Sequence, residues 1–179
     1  MQTKFKYLLR RSLAYFVDVS FIYVMLMVLL QLLILAPLRH AQGLDEDWFK
    51  IGWNVQYYVW LTISLPVWLY FIMMESSKRR ATLGKYLFKL KVSSVETNAK
   101  LSFGKALLRT GLKLLPWELI HLGLNLPTPV WFEETPDFRY VTLAGSLLFV
   151  VYFLSILWSR TGQSIYDNLT RTIVQSITP

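Results

Sequence analysis

Apolar residues recur along this chain in runs too long for the core of a soluble domain. The first extends from about Leu13 to Ala36 and stops at Pro37. Others cover about Tyr57 to Met74, with Pro66 in the middle, and about Tyr140 to Trp158. Each approaches the roughly 20 residues with which a helix crosses ~30 Å of hydrocarbon. A further segment, about Ala106 to Leu126, is rich in leucine but carries Arg109, Lys113, Glu118 and His121. Hydropathy alone leaves it open as a spanning helix, a re-entrant one, or an amphipathic helix on the surface. Trp53, Tyr57, Tyr58, Trp60, Tyr140 and Trp158 stand near the ends of runs, where aromatic rings favour the membrane interface. Pro66 predicts a kink, with neighbours satisfying the carbonyl that it frees.

Charge decides the number of spans. Lys4, Lys6, Arg10 and Arg11 precede the first run, and Lys78, Arg79, Arg80, Lys85, Lys89, Lys91, Lys100 and Lys105 fill the middle connection. The connection 38–56 instead holds Asp45, Glu46 and Asp47 against Arg39 and Lys50. The connection 127–139 holds Glu133, Glu134 and Asp137 against Arg139 alone. Basic and poorly basic connections alternate only if the polar segment crosses; otherwise Arg160 and Arg171 fall outside or the acidic 127–139 stretch falls inside. The expectation is therefore an all-α, polytopic bundle forming a single domain over 1–179. It has spans at about 13–36, 57–74, 106–126 and 140–158, a basic cytoplasmic loop at 75–105, and both termini in the cytoplasm. The first run exceeds the roughly 7–15 residues of a cleaved signal core, so it reads as a retained anchor.

The middle loop is patterned. Leu83, Tyr86, Leu87 and Leu90 recur at helical spacing, with Gly84, Lys85, Lys89 and Lys91 opposite and Thr82 as N-cap. That predicts a cytoplasmic amphipathic helix in the interface, its leucines in lipid and its lysines among phosphates. Val92 to Phe103 has a turn-like Glu96–Ala99 centre, which suggests a short hairpin. Gly84-Lys85 is not a phosphate loop, because Arg79 and Tyr86 stand where Gly and Ser/Thr are needed.

Charged groups within the spans are the candidate functional residues. Asp18 lies seven residues beyond Arg11, almost on the same helical face and ~10 Å further along. It fits an ion or proton site, but its shallow depth favours a structural pair with Arg11 or another cation near the cytoplasmic edge. Glu118 and His121, one turn apart, could exchange a proton or cation near neutral pH, or could form a hydrogen-bond network between helices. Two ligands are too few for a metal centre, so no metal is expected. Asp167 alone predicts only an exposed i,i+4 pair with Arg171.

Three islands combine into a resemblance. Arg11-Ser12-Leu13-Ala14-Tyr15-Phe16-Val17-Asp18 resembles the opening of the RDD family of membrane proteins, named for one Arg and two Asp. Residues Ala81 to Val92 resemble its cytoplasmic Gly-Lys block, and Asp167 to Val174 its closing Asp…Thr-x-Val block. The resemblance spans 11–174 and implies a small helical bundle in which Arg11, Asp18 and Asp167 matter, with Gly84 and Lys85 in the loop. It suggests that Arg11 bridges Asp18 and Asp167 at a cytoplasmic gate. Many members carry His before the closing Asp; this chain has Tyr166, which argues against a His–Asp relay there. Some members are associated with sodium/proton antiport.

Composition agrees. Hydrophobic residues make up 54% of the 179 and charged ones 17%, below the roughly 25% of globular proteins. With no cysteine, thiol catalysis, iron–sulfur clusters and disulfide scaffolds are excluded. Anionic cytoplasmic lipid accounts for the excess of 19 Lys+Arg over 11 Asp+Glu, so nucleic acid is not the expected partner. No nucleophile–base pair or cofactor loop is present, so neither an enzyme nor a cofactor is expected. The expectation is a small transporter in a bacterial inner membrane, exchanging a monovalent cation for protons and homo-oligomeric. The alternative is a non-catalytic adaptor or assembly factor that binds lipid or a membrane partner through the loop at Gly84, Lys85 and Lys89.

Overall fold

The computed structural model describes residues 2–159 and 161–177; Arg160 and the side chain of Lys4 lie outside the described residues. Helix α1 (Gln2–Tyr23) runs without interruption into a π-helical stretch, Val24–Leu35, and then α2 (Ala36–Ala41). Gly43, at φ 65°, ends it in the left-handed turn that glycine tolerates best. Helix α3 (Glu46–Lys50) is capped by Asp45, whose carboxylate accepts from the Trp48 amide at 3.1 Å. Next come α4 (Gly52–Val59), a π turn at Trp60–Ser64, and α5 (Leu65–Ser76). Pro66 explains that turn. Its ring crowds the carbonyl four residues back, at Thr62, and one widened turn relieves the crowding without ending the helix.

Helix α6 (Leu83–Leu87) and strand β1 (Leu90–Ser94) follow. Then come α7 (Phe103–Asn125), a 3-10 turn at Val130–Phe132, α8 (Tyr140–Trp158), α9 (Ile165–Leu169) and β2 (Thr172–Ser176). Among the described residues, three helices are long and apolar enough to cross a membrane: Phe5–Ala41, Gly52–Ser76 and Tyr140–Trp158. Helix α7, which contains the polar segment, does not reach that apolarity.

The structure corrects the middle loop in two ways. Lys89, at φ 53°, cannot continue a right-handed helix, so the expected amphipathic helix is cut to five residues and Leu90 opens a strand. The expected hairpin is replaced by an antiparallel pairing of β1 with β2, in the register Leu90↔Ser176, Val92↔Val174 and Ser94↔Thr172. A small sheet therefore joins the helices, and the fold is not wholly α.

The chain divides into two units. The first comprises Met1–Phe21, Trp68–Leu114 and Val150–Pro179. Its core is Ala14, Ile72, Leu90, Val92, Leu101, Ala106 and Val174. Burying the leucine, isoleucine and valine side chains contributes about 1.5–3 kcal/mol each. Arg10 fastens the strand ends, donating to the Phe88 carbonyl at 3.0 Å and to Ser176 Oγ at 3.1 Å. Tyr7 donates to the Val174 carbonyl at 2.9 Å. The second unit comprises Ile22–Val67 and Leu115–Phe149. There α7 and α8 approach closely where Gly145 faces the Pro116 carbonyl and Gly123 faces Thr142, since a Cβ at either would overlap its neighbour.

Candidate functional site: a buried charge network

The candidate residues of the first unit fall into two linked arrangements. On α1, Asp18 is 1% exposed and accepts from three neutral donors. These are Tyr70 Oη at 2.8 Å, Thr82 Oγ1 at 2.6 Å and the Gly84 amide at 2.8 Å. Thr82 is at once the N-cap of α6, accepting from the Lys85 amide at 3.4 Å. Gly84 is required by contact: a Cβ there would overlap the Ala14 carbonyl oxygen. Asp18 thus ties the start of α6 to α1.

Arg11 is joined to the chain's far end. It donates to Asp167 Oδ2 at 2.5 Å, to the Gly162 carbonyl at 2.6 Å and to Tyr166 Oη at 3.3 Å. Asp167 itself completes a capping box with Ser164, which presents its carboxylate at the start of α9. Arg11 and Asp167 are therefore paired, whereas the bridge from Arg11 to Asp18 expected from the family resemblance does not form. Asp18 is satisfied by hydroxyls and an amide instead. The expected Asp167–Arg171 pair is also replaced: Arg171, at φ 49°, lies beyond the helix and meets Glu96 at 2.9 Å.

Arg109 and Glu75 complete the network. Arg109, 1% exposed, spans two carboxylates with one guanidinium: Glu75 at 2.5 Å and Asp167 at 2.6 Å. Its Nε donates to Thr172 Oγ1 at 3.1 Å. Glu75, at 0% exposure, also meets Lys85 Nζ at 2.7 Å and Lys113 Nζ at 3.3 Å. Burial alone would raise the Asp167 carboxyl, but Arg11 and Arg109 override it and hold the group well below the usual carboxylate range. Lys85 is thus an ion-pair partner, while Lys89 is exposed and contributes its backbone carbonyl, which accepts from the Ile177 amide at 2.7 Å.

Sequence reasoning did not single out Glu75, Arg109 or Lys113 as site residues. The available signal was the i,i+4 spacing of Arg109 and Lys113 on one face of α7, together with an acid at the end of an apolar run.

The second unit holds Glu118 and His121. Ser64 Oγ donates to Glu118 Oε2 at 3.1 Å, and Asn125 donates to Gln56 Oε1 at 2.9 Å. Glu118, His121 and Asn125 are spaced by one turn on α7, and Gln56 and Ser64 by two turns on the helix Gly52–Ser76. His121 Nδ1 and Gln56 Nε2 are buried without a hydrogen-bond partner among the described residues. A seam of amide, hydroxyl, carboxylate and imidazole groups therefore runs between two helices of this unit.

Long apolar helices combined with buried, paired charges define an integral membrane protein. The family model for the RDD family matches residues 6–171, and the chain belongs to that family. No curated protein and no solved structure matches it.

Proposed function

We propose that this protein is a small, non-enzymatic transporter of a bacterial inner membrane that exchanges a monovalent cation for protons, with Glu118 as the shared binding group. The observation that carries this reading is the polar seam in the second unit. A carboxylate bonded to a hydroxyl, one turn from a buried imidazole nitrogen without a partner, suits alternate occupancy by a proton and a cation. Helix α7 would serve as the fourth span; its 23 residues rise roughly 34 Å, enough for the hydrocarbon layer. Positive-inside asymmetry supports cytoplasmic termini, with anionic lipid against the basic loop. A homodimer is the natural supplement to so few spans. Asp18 and the network around Glu75 enter as ties between elements.

Purified protein in liposomes containing a pH-sensitive dye tests the proposal. Sodium, lithium and potassium pulses are expected to drive proton flux in wild type and in Glu118→Asp, and none in Glu118→Gln of normal yield and monodispersity. Absence of flux from well-folded wild type with all three cations would overturn it. The adaptor reading would then stand, favoured by the exposure of Tyr86, Leu87 and Lys89 on the basic loop.

A further inference from the structure

The network of the first unit does not balance. Four cationic side chains, Arg11, Lys85, Arg109 and Lys113, are joined through ion pairs to two carboxylates, Glu75 and Asp167. Counting Asp18, which is buried nearby but bonded to neutral donors, still leaves four against three. An unmatched charge in so dry a place is costly enough that the group neutralises.

The geometry indicates which group does so. Arg11 and Arg109 retain their protons at any relevant pH. Lys85 has the shorter contact to Glu75 Oε1, 2.7 Å against 3.3 Å for Lys113, and its side chain is 11% exposed against 7%. Lys113 Nζ lies 3.2 Å from the centroid of the Phe71 ring, and Glu75 is its one hydrogen-bonded acceptor among the described residues. The ring face would attract an ammonium, but only one of its three donors meets an oxygen there, and an amine has one donor fewer to satisfy.

We propose that Lys113 is a proton-binding site, its side chain resting as a neutral amine against Glu75 and Phe71 and becoming an ammonium when the network takes up a proton. The charged groups facing it are Glu75 from α5, Lys85 from α6, and Arg109 from its own helix, the last backed by Asp167 of α9. Among the described residues, Glu75 is the only acid in contact with it. Protonation would therefore draw Glu75 toward Lys113 and weaken its hold on Lys85 and Arg109, loosening α6 from α5. The site is distinct from Glu118, and it holds whether or not the protein transports ions.

Direct observation of the amine tests this. Protein carrying 15N at lysine side chains, in lipid nanodiscs at about pH 8, should show one neutral-amine signal against the ammonium background expected of ordinary lysines. That signal should vanish in Lys113→Arg and persist in Lys85→Arg. In thermal melts Lys113→Met should keep the wild-type midpoint, and Lys113→Arg, which fixes the surplus charge, should lose several degrees. A structural ammonium paired with Glu75, or one balanced by a bound anion, would show no neutral amine and reverse the order of the two variants. Either result would overturn the proposal.

Discussion

Asp167 shows how far a residue's surroundings set its weight. Its carboxylate is fully buried, bonded to two guanidinium groups and to the Ser164 amide. Because its folded-state value lies below that of the unfolded chain, its contribution to stability is complete above the ordinary carboxylate range. It is lost progressively as pH falls through that range toward the folded-state value. In detergent, wild-type protein should therefore begin to lose thermal stability on acidification below about pH 4, an onset set by the ordinary Asp value. Asp167→Asn should be less stable at neutral pH by about 3–5 kcal/mol, since it leaves Arg11 and Arg109 short of a counter-charge. It should also melt with a shallower dependence on pH. Equal slopes for the two proteins would show that Asp167 does not carry the acid sensitivity.

At the scale of elements, the middle loop separates what local pattern encodes from what it does not. Leu83, Tyr86, Leu87 and Leu90 have helical spacing, yet Leu87 is 60% exposed on α6 and Leu90 is 0% exposed in β1. Leu90→Ala should therefore destabilise by about 2–5 kcal/mol, as large core truncations do. Leu87→Ala should stay within about 0.5 kcal/mol. Denaturation in detergent decides it, and equal losses would restore the single amphipathic helix. The three apolar spans were legible because some twenty consecutive apolar residues leave one physical solution. The break at Lys89 was not, because a left-handed turn is usually signalled by Gly or Asn and here falls on lysine. Pairing of β1 with β2 joins segments some eighty residues apart, as the register Leu90↔Ser176 shows, and no local periodicity reports it. Similarly, Arg11 and Asp18 were conspicuous as charges in an apolar run. Glu75 and Arg109 became significant only when the fold brought them into contact.

For the molecule as a whole, the informative quantity is the side of the membrane on which each connection lies, and it depends on α7. If α7 crosses, residues 42–44 and 133–137 face outward while the 95–98 turn and both termini face the cytoplasm. If α7 is re-entrant, 133–137 returns to the side of 95–98. The sequence contains no cysteine, so a single introduced thiol reports without background. Gly43→Cys, Asn98→Cys and Asp137→Cys replace residues in connections between the long helices; Asn98 and Asp137 are exposed, and a Cβ at Gly43 meets nothing within 4 Å. Gly43 carries some strain on substitution, since its φ is 65°, but it lies at a helix end where that strain stays local. In intact cells a membrane-impermeant maleimide should label Gly43→Cys and Asp137→Cys and spare Asn98→Cys until the membrane is opened. Labelling of Gly43→Cys alone would make α7 re-entrant. The polar seam of Glu118, His121 and Asn125 would then lie in a helix open to one side only, and exchange across the membrane would lose its path.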